Sequence, residues 1–431
     1  MIQALRNAFR LPDLRRKIMI TFLILVIYRL ASHVPVPNIQ TELLAEVFAK
    51  NPLLSMMDMV SGGAMSSFSV MAMGVGPYIT ATIVMQLLQP IIPALEELAK
   101  EGEAGRNKIN QYTYFLAIPL CALQAFALGM QMQSQGVMTD FGLSGTALLP
   151  TLTTIITMTA GTMFAIWLGE LITEQGMGQG LSIIILGGIV ARIPQRVGAM
   201  VATDLRGLVA FLLITAITVL VIVVVQEGQR RIPVQYGKRV LAMRGSRLRI
   251  AGGQSTHIPL RVNSSGMIPL IFAQSIMMFP GLIASYFLSS GIPWVQTTAT
   301  TVYNMFNAQS TVYWVMYFFM VVGFTYFYTD VIFQQQDLAE NLKRQGGFIP
   351  GIRPGKRTEN YLNGVLRRIT LVGAVFLATV AILPWLVKGV TETSMMLITS
   401  SGLLIVVGVV LDTLRQLEAQ LVMRHYEGFI K

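Results

Sequence analysis

Few residues in this chain have the types and spacing that catalysis requires. The stretch GIRPGKRT at 351–358 comes nearest, because a phosphate-binding loop ends in Gly-Lys and cradles phosphate with backbone N–H groups. The match fails at both ends. Pro350 stands where the first glycine belongs, and Arg357 follows Lys356 where a Ser or Thr would hold Mg²⁺. The sequence also contains no HExxH, CxxC or GxSxG motif. We therefore expect no enzymatic activity and no cofactor.

Ionisable residues are almost absent from the interiors of the apolar segments. Arg29, Glu170 and Asp330 lie towards segment ends. Carriers coupled to ions or protons usually keep such groups at mid-membrane. The single cysteine, Cys121, lies inside an apolar segment, and the three histidines are far apart in sequence, so neither a disulfide nor a metal site is expected. The pattern favours a passive path whose energy comes from elsewhere.

The elements that position these residues are membrane helices. Of the 431 residues, 53% are hydrophobic and only 12% are charged, with a mean hydropathy of +0.61. A span needs ~20 mostly apolar residues. We predict an all-α polytopic membrane protein with ten transmembrane helices, near 17–34, 70–90, 111–131, 149–169, 179–191, 207–226, 266–288, 311–329, 364–387 and 395–411. The first is expected to be a retained helix rather than a signal peptide, because no small-residue cleavage site follows it.

The distribution of charge sets the predicted orientation. With both termini cytosolic, 26 of the 32 Lys and Arg residues fall on the cytosolic side, as the positive-inside rule requires. Three arginines, Arg192, Arg196 and Arg206, fall on the outside against that rule. The total number of Lys and Arg residues on each side still favours the orientation with both termini in the cytosol.

Ten spans divide into two inverted halves of five, which we place at 1–205 and 206–431. The second span of each half is interrupted, at Gly76-Pro77 and between Gly266 and Pro269. Interrupted spans at corresponding positions of inverted halves indicate a central pathway. In the first half, the apolar stretch 53–68 before the break is too rich in Gly and Ser to span. Irregular backbone at this depth must line or block a cavity, because lipid would leave its polar groups unsatisfied.

Two long loops, 227–263 and 333–363, lie on the cytosolic side. The first carries eight basic residues against one acidic residue, with strand-like alternation near RRIPVQY and RVLAMRG. The second holds a polar helix-like stretch, a break at Gly346-Gly347, and a Pro/Gly-rich turn with Arg353, Lys356 and Arg357. Attraction to anionic lipid explains a short basic loop. Loops of this length favour a large partner, such as one rich in phosphate.

Along its whole length the chain resembles the SecY family, the channel subunits of the bacterial protein-export translocon. The resemblance rests on IYRLASHVPVPNI (27–39), GPYITATIVMQLL (76–88), EGEAGRNKINQYT (101–113), WLGELITEQGMGQGLSIIILGGIVARIP (167–194), QSTHIPLRVNSSGMIPLIFAQSIMMFP (254–280), GGFIPGIRPGKRTENYL (346–362) and LEAQLVMRHYEG (417–428). It implies a clamshell of two inverted five-helix halves in the bacterial plasma membrane. Such a channel passes unfolded polypeptides across the membrane or sideways into lipid.

The resemblance also implies site residues. Its ring of aliphatic side chains corresponds to Val75, Ile79, Ile185, Ile271 and Ile405. Branched aliphatic residues make a dry gasket that resists ions by dewetting. The family's plug, a short helix that moves aside on opening, corresponds to about 53–68. Its expected members are Leu54, Met57, Met59, Gly62, Gly63 and Met65.

A lateral gate and a docking surface follow from the same resemblance. The gate residues are Thr80, Gln86, Gln124, Ser275 and Phe279. The docking residues, which meet the SecA motor ATPase or the ribosome, are Lys238, Arg239, Arg244, Arg353, Lys356 and Arg357. The resemblance further implies SecE and SecG as partner subunits, signal-sequence-bearing polypeptides as substrates, and the lipid bilayer as surroundings.

Three other readings compete with a protein channel. A secondary transporter of a small solute needs a polar or charged site at mid-membrane. A membrane scaffold would recruit partners through its basic loops alone. An intramembrane enzyme needs a nucleophile–base pair or a metal cluster, and the sequence offers neither.

Overall fold

The computed structural model describes residues 11–37, 39, 43–44, 58, 61, 63–138, 141–142, 145–203, 205–236, 240–244, 247–251, 255–288, 292–307, 310–336, 338–391 and 400–427. Most of these residues are helical. The helices are α1 (Pro12–Ala31), α2 (Gly76–Leu88), α3 (Pro93–Lys100), α4 (Glu103–Ser134), α5 (Leu148–Gln175), α6 (Gly180–Thr203), α7 (Leu205–Glu227), α8 (Ile268–Phe287), α9 (Pro293–Met305), α10 (Thr311–Gln336), α11 (Leu338–Arg344), α12 (Lys356–Thr391) and α13 (Ser400–Glu427). Each predicted span overlaps one of them.

Length and apolarity support several membrane crossings. Over the described residues, α4, α5, α10 and α12 are long and apolar enough to cross a membrane. A fifth crossing is added if α2 and α3, which meet at a bend of 100°, count as one broken span. Shorter apolar helices lie within α6, α7 and α8. The predicted mostly helical membrane fold is confirmed, whereas the count of ten spans stays a prediction.

The described chain forms two compact units. Unit 1 comprises Met1–Ala216, Gln274–Val315 and Pro384–Lys431, and unit 2 comprises Ile217–Ala273 and Met316–Leu383. In unit 1, α4 packs on both α2 and α5, α1 and α6 pack on α5, and α6 packs on α13. Glycine permits the closest approaches. A Cβ on Gly161 of α5 would lie 2.0 Å from the carbonyl oxygen of Val70.

The chain between α1 and α2 turns back on itself inside unit 1. Pro35 and Ser69 form an antiparallel bridge, which is flanked by Val36 N–H to Phe68 O at 3.0 Å and Val70 N–H to Val34 O at 2.9 Å. Phe68 has φ 41°, a left-handed conformation that a bulky residue adopts only where its surroundings hold it. The irregular segment predicted before α2 is therefore tied to the end of α1.

Unit 2 carries a small antiparallel sheet in the order β4-β1-β5, where β1 is Gln229–Tyr236, β4 is Ser255–Arg261 and β5 is Gly347–Phe348. The strand β1 alternates as its sequence predicts, with Ile232 and Val234 buried between exposed neighbours. A separate hairpin pairs β2 (Val240–Arg244) with β3 (Arg247–Ala251). The strands expected near RRIPVQY and RVLAMRG are thus confirmed.

The Gly161 contact generates a stability prediction. We expect Gly161→Ala to lower the free energy of unfolding by about 1–3 kcal/mol, because the added methyl group overpacks the α5 interface. Thermal unfolding of the purified protein in detergent micelles, followed by circular dichroism, measures the effect. The control is Gly323→Ala on α10, where no atom lies within 4 Å of the new Cβ. Equal melting temperatures for the two variants would contradict the close packing.

Candidate functional site

The predicted constriction residues divide between the two units. In unit 1, Val75 is buried directly before α2, and its carbonyl accepts the N–H of Ile79 one turn later, at 3.1 Å. Ile185 and Ile405 are buried on α6 and α13, two helices that pack against each other. Ile271 lies half-buried on α8 in unit 2. The structure brings together the helices of Ile185 and Ile405, and closure of a five-residue ring stays a prediction.

The described part of the predicted plug is anchored by two large apolar side chains. Met65 and Phe68 are 1% and 0% exposed. They belong to an apolar cluster built mainly on α4 and its neighbours, with Cys121, Ala125, Leu128, Met132, Phe141 and Met158. The segment is also rich in glycine and serine, small residues that suit weak, reversible docking. These two anchors add a firm apolar contact to that picture.

Polar contacts bind the same segment to α6. Asp58 forms an ion pair with Arg192 of α6, and the carboxylate of Asp58 also accepts the backbone N–H of Ser66 at 2.7 Å. Arg192 further donates to the Ser66 hydroxyl. Sequence reasoning did not assign Arg192 to this site. The signal was present, because Arg192 is one of the arginines that violate the positive-inside rule.

The predicted gate residues show unequal environments. Thr80 and Gln86 lie on α2 and Gln124 on α4, and these two helices pack together. The side-chain oxygen of Gln86 is buried and accepts no hydrogen bond from the described residues. Ser275 is half-buried on α8. The structure describes only the backbone of Phe279. The seam between α2 and α8 therefore stays a prediction.

An aromatic and acidic contact fixes the rotation of α2 against its neighbours. The ring of Tyr78 on α2 stacks on that of Tyr114 on α4, with centroids 5.4 Å apart. The Tyr114 hydroxyl donates to the carboxylate of Glu170 on α5. Glu170, near one end of its helix, thus binds a neighbouring helix.

The two long loops join in unit 2 as one body, which we call the basic head (residues 229–236, 255–261 and 338–362). Its strands pair through Gln235 with Phe348 and Tyr236 with Gly347. Its apolar core contains Ile232, Val234, Leu260, Leu342, Ile349 and Leu362. The sequence predicts both loops, but not that they share a sheet.

Basic side chains are exposed on the basic head. Arg353, Lys356 and Arg357 lie exposed on a fixed turn, in which Gly351 and Gly355 take positive φ and Thr358 donates its hydroxyl to the carbonyl of Arg353 at 3.0 Å. The turn opens α12, whose N-terminus adds partial positive charge. Further exposed arginines that were not singled out from the sequence are Arg230, Arg231 and Arg261. The arrangement suits an anionic partner.

Several predicted residues lie outside the described part of the chain. They are Leu54, Met57, Met59 and Gly62 of the plug, and Lys238 and Arg239 of the docking surface. Arg244 ends β2, and its backbone pairs with Arg247, but its side chain is not described. Gly63 is described, has φ 95°, and lies against the Arg192 guanidinium.

The fold matches known membrane channels. A solved structure described as "The structure of a protein conducting channel" has a TM-score of 0.64 at 17% identity, covering 95% of this chain and 93% of that one. A canine Sec61 in a ribosome-channel complex has a TM-score of 0.61 at 16% identity, covering 95% and 93%. The chain therefore has the fold of a protein-conducting channel.

Sequence comparison identifies the family. The SecY family model matches residues 69–414. Protein translocase subunit SecY of Thermotoga maritima is 42% identical, covering 100% of this chain and 98% of its own length. The subunit of Halalkalibacterium halodurans is 43% identical over the full length of both chains. This multi-pass membrane protein belongs to the SecY family, which confirms the resemblance drawn from the sequence.

The basic head generates a prediction about its own integrity. We expect Val234→Asp to destabilise it by about 3 kcal/mol or more, because a carboxyl group replaces a fully buried side chain without a hydrogen-bond partner. Hydrogen exchange of 229–236 and 255–261, read by mass spectrometry, should show faster exchange. Gln235→Asp, one residue on and exposed, is the matched control. Equal protection in the two variants would contradict the described core.

Proposed function

We propose that this chain is the pore-forming subunit of a protein translocase. It passes unfolded polypeptides across the bacterial plasma membrane and releases membrane segments sideways into lipid. It performs no catalysis, and an external motor or the ribosome drives transport. The observation that carries the proposal is the full-length identity of about 40% to relatives named protein translocase subunits.

The geometry of unit 1 supports a gated path. Irregular backbone precedes α2, yet its polar groups are bonded within the protein, as in Gly63 N–H to Asp58 O at 2.9 Å and Ser69 N–H to Ala64 O at 2.9 Å. Irregular backbone at membrane depth is tolerated only inside protein or against a cavity. We assign the segment 53–68 as a plug that blocks the path at rest and moves aside on opening.

The constriction is formed by Val75, Ile79, Ile185, Ile271 and Ile405. Their aliphatic side chains repel water and ions when the ring is closed, and they bind no passing side chain strongly. The burial of Val75, Ile185 and Ile405 within unit 1 supports this role. One residue from the other unit, Ile271, completes the ring in the proposal.

Lateral release occurs at a seam lined by Thr80, Gln86, Gln124, Ser275 and Phe279. Hydrogen bonds between membrane helices contribute only about 0.6–2 kcal/mol each. Such a seam is weak enough for a signal sequence to part. The buried side-chain oxygen of Gln86 has no hydrogen-bond partner among the described residues, which supports the assignment, since a closed and fully optimised helix interface would satisfy it.

The basic head is the docking surface for SecA or the ribosome, and SecE and SecG are the partner subunits. Exposed arginines on a rigid sheet body match phosphate or carboxylate groups of a large partner. The ribosome-bound Sec61 structure supports a ribosomal partner through its shared fold. Two inverted halves, 1–205 and 206–431, with both termini in the cytosol, place the head on the side where these partners act.

The alternative of a small-solute transporter gains no support from the relatives or the solved structures. Its polar site at mid-membrane is also missing from the sequence, where the ionisable groups Arg29, Glu170 and Asp330 lie towards helix ends. The scaffold alternative offers no path for a polypeptide and so predicts no substrate contact at the ring residues, which the next experiment tests.

Crosslinking of a stalled export substrate tests the path. We expect single cysteines at Val75, Ile185, Ile271 and Ile405, in a Cys121→Ser background, to form crosslinks with the nascent polypeptide, because a ring surrounds whatever passes through it. The yield of substrate adduct on gels measures proximity. The control is Ile217→Cys on α7, which is 63% exposed in the described structure and assigned to lipid. Adducts at Ile217 but not at the ring would overturn the path.

Charge reversal tests the docking surface. We expect Arg353→Glu to reduce motor- or ribosome-driven export about tenfold, the scale of a lost charge-assisted contact. Export of a reporter preprotein by inverted membrane vesicles measures this, and the amount of channel in the membrane should stay unchanged. Arg106→Glu applies the same charge change on α4, outside the basic head. Normal export by the Arg353 variant would remove the docking role.

A further inference from the structure

Arg192 stands out because it is a charged residue in an unfavourable place. It falls on the predicted outer side, where the positive-inside rule disfavours arginine. Its side chain is only 22% exposed, and that of its partner Asp58 is 3% exposed. A buried ion pair is expensive to assemble and is not needed for stability as such. Its presence therefore calls for a role of its own.

The Arg192 side chain is enclosed by the segment that it binds. Its Nη1 pairs with Oδ2 of Asp58, and its Nη2 donates to the hydroxyl of Ser66. At Gly63 the backbone covers the guanidinium so closely that a Cβ would lie 2.6 Å from Nε. Three positions of the segment thus converge on one side chain of α6.

Asp58 links the ion pair to the fold of the segment. Its Oδ1 accepts the N–H of Ser66, and its carbonyl accepts the N–H of Gly63 and the hydroxyl of Ser61 at 3.1 Å. Arg29, at the end of α1, interacts electrostatically with both Asp58 and Arg192. One carboxylate therefore interacts with arginines of two helices. Loss of that carboxylate would leave two like charges facing each other.

The two kinds of anchor respond differently to helix movement. Met65 and Phe68 pack on α4, and non-directional apolar contacts tolerate small shifts. The ion pair is directional and depends on the distance to α6. Separation of the charges also admits water, which solvates both groups and lowers the cost of staying apart. The two charges are therefore either paired or apart and hydrated.

We propose that the Arg192–Asp58 ion pair is a latch, which holds the 58–68 segment in the closed position until Arg192 is drawn away. Arg192 is a positioning residue, acting on the path through the segment. The inference rests on the proposed function of the segment as a plug. It assigns the resting seal to one polar contact, in addition to apolar packing.

The test measures resting ion conductance of the purified translocase in planar bilayers. We expect Asp58→Asn and Arg192→Gln each to raise conductance about tenfold or more, since each breaks the ion pair between the segment and α6. The double variant should leak no more than the leakier single variant, because both changes remove one interaction. Arg192→Lys keeps the positive charge but loses the guanidinium that binds Asp58 and Ser66 through two nitrogen atoms. We expect this variant to show an intermediate conductance. Lys100→Gln breaks an exposed Lys–Glu pair on α3 and should stay at the parental level.

Export of a normal preprotein separates a latch from a folding defect. A loosened latch leaves export at or above the parental level, whereas a misfolded channel loses export. Deletion of 55–66 separates the latch from the proposed function. If the deletion leaks and both single variants stay sealed, the latch is wrong and the plug stands. If the deletion does not leak, the plug assignment and the latch both fall. If Arg192→Gln does not fold, Arg192→Lys decides, and parental conductance there overturns the proposal.

Discussion

The structure of unit 1 depends on one constraint: backbone N–H and C=O groups at membrane depth must be bonded within the protein. A helix meets that constraint by itself, but residues 63–75, directly before α2, are not helical. It meets the constraint through the bridge between Pro35 and Ser69 and through side chains such as Asp58, which accepts the N–H of Ser66. The described part of the segment is bonded to and packed against residues of α1, α4, α5 and α6.

The seated segment combines two forces of different character. Burial of Met65 and Phe68 against α4 supplies attraction that varies little with small displacements. The Arg192–Asp58 pair supplies a directional contact that fixes one position. A channel that must seal against ions and yet open for a polypeptide needs both properties. Apolar packing alone would allow the segment to slide, and ionic contacts alone would weaken as water enters.

Unit 2 displays exposed basic side chains on a small sheet. Its basic head has an apolar core around Val234 and Leu362, and since Leu362 lies on α12 this core ties the turn with Arg353 to the start of a membrane helix. Positive φ at Gly351 and Gly355 shapes the turn that displays them. An exposed basic surface on a small sheet suits the docking role that we propose for it.

The sequence by itself determined the membrane class, the positions of the apolar helices, the break before α2 and the basic loops, because hydropathy, charge and Gly-Pro breaks are local signals. It missed the short helices α3 and α9, whose mixed composition resembles a loop. Only the tertiary structure decided that β1 pairs with β5, so that Tyr236 meets Gln345 across 109 residues, and that Arg192 binds a segment 126 residues before it. Such partners are set by how helices and loops pack in space, and no periodicity along the chain records them.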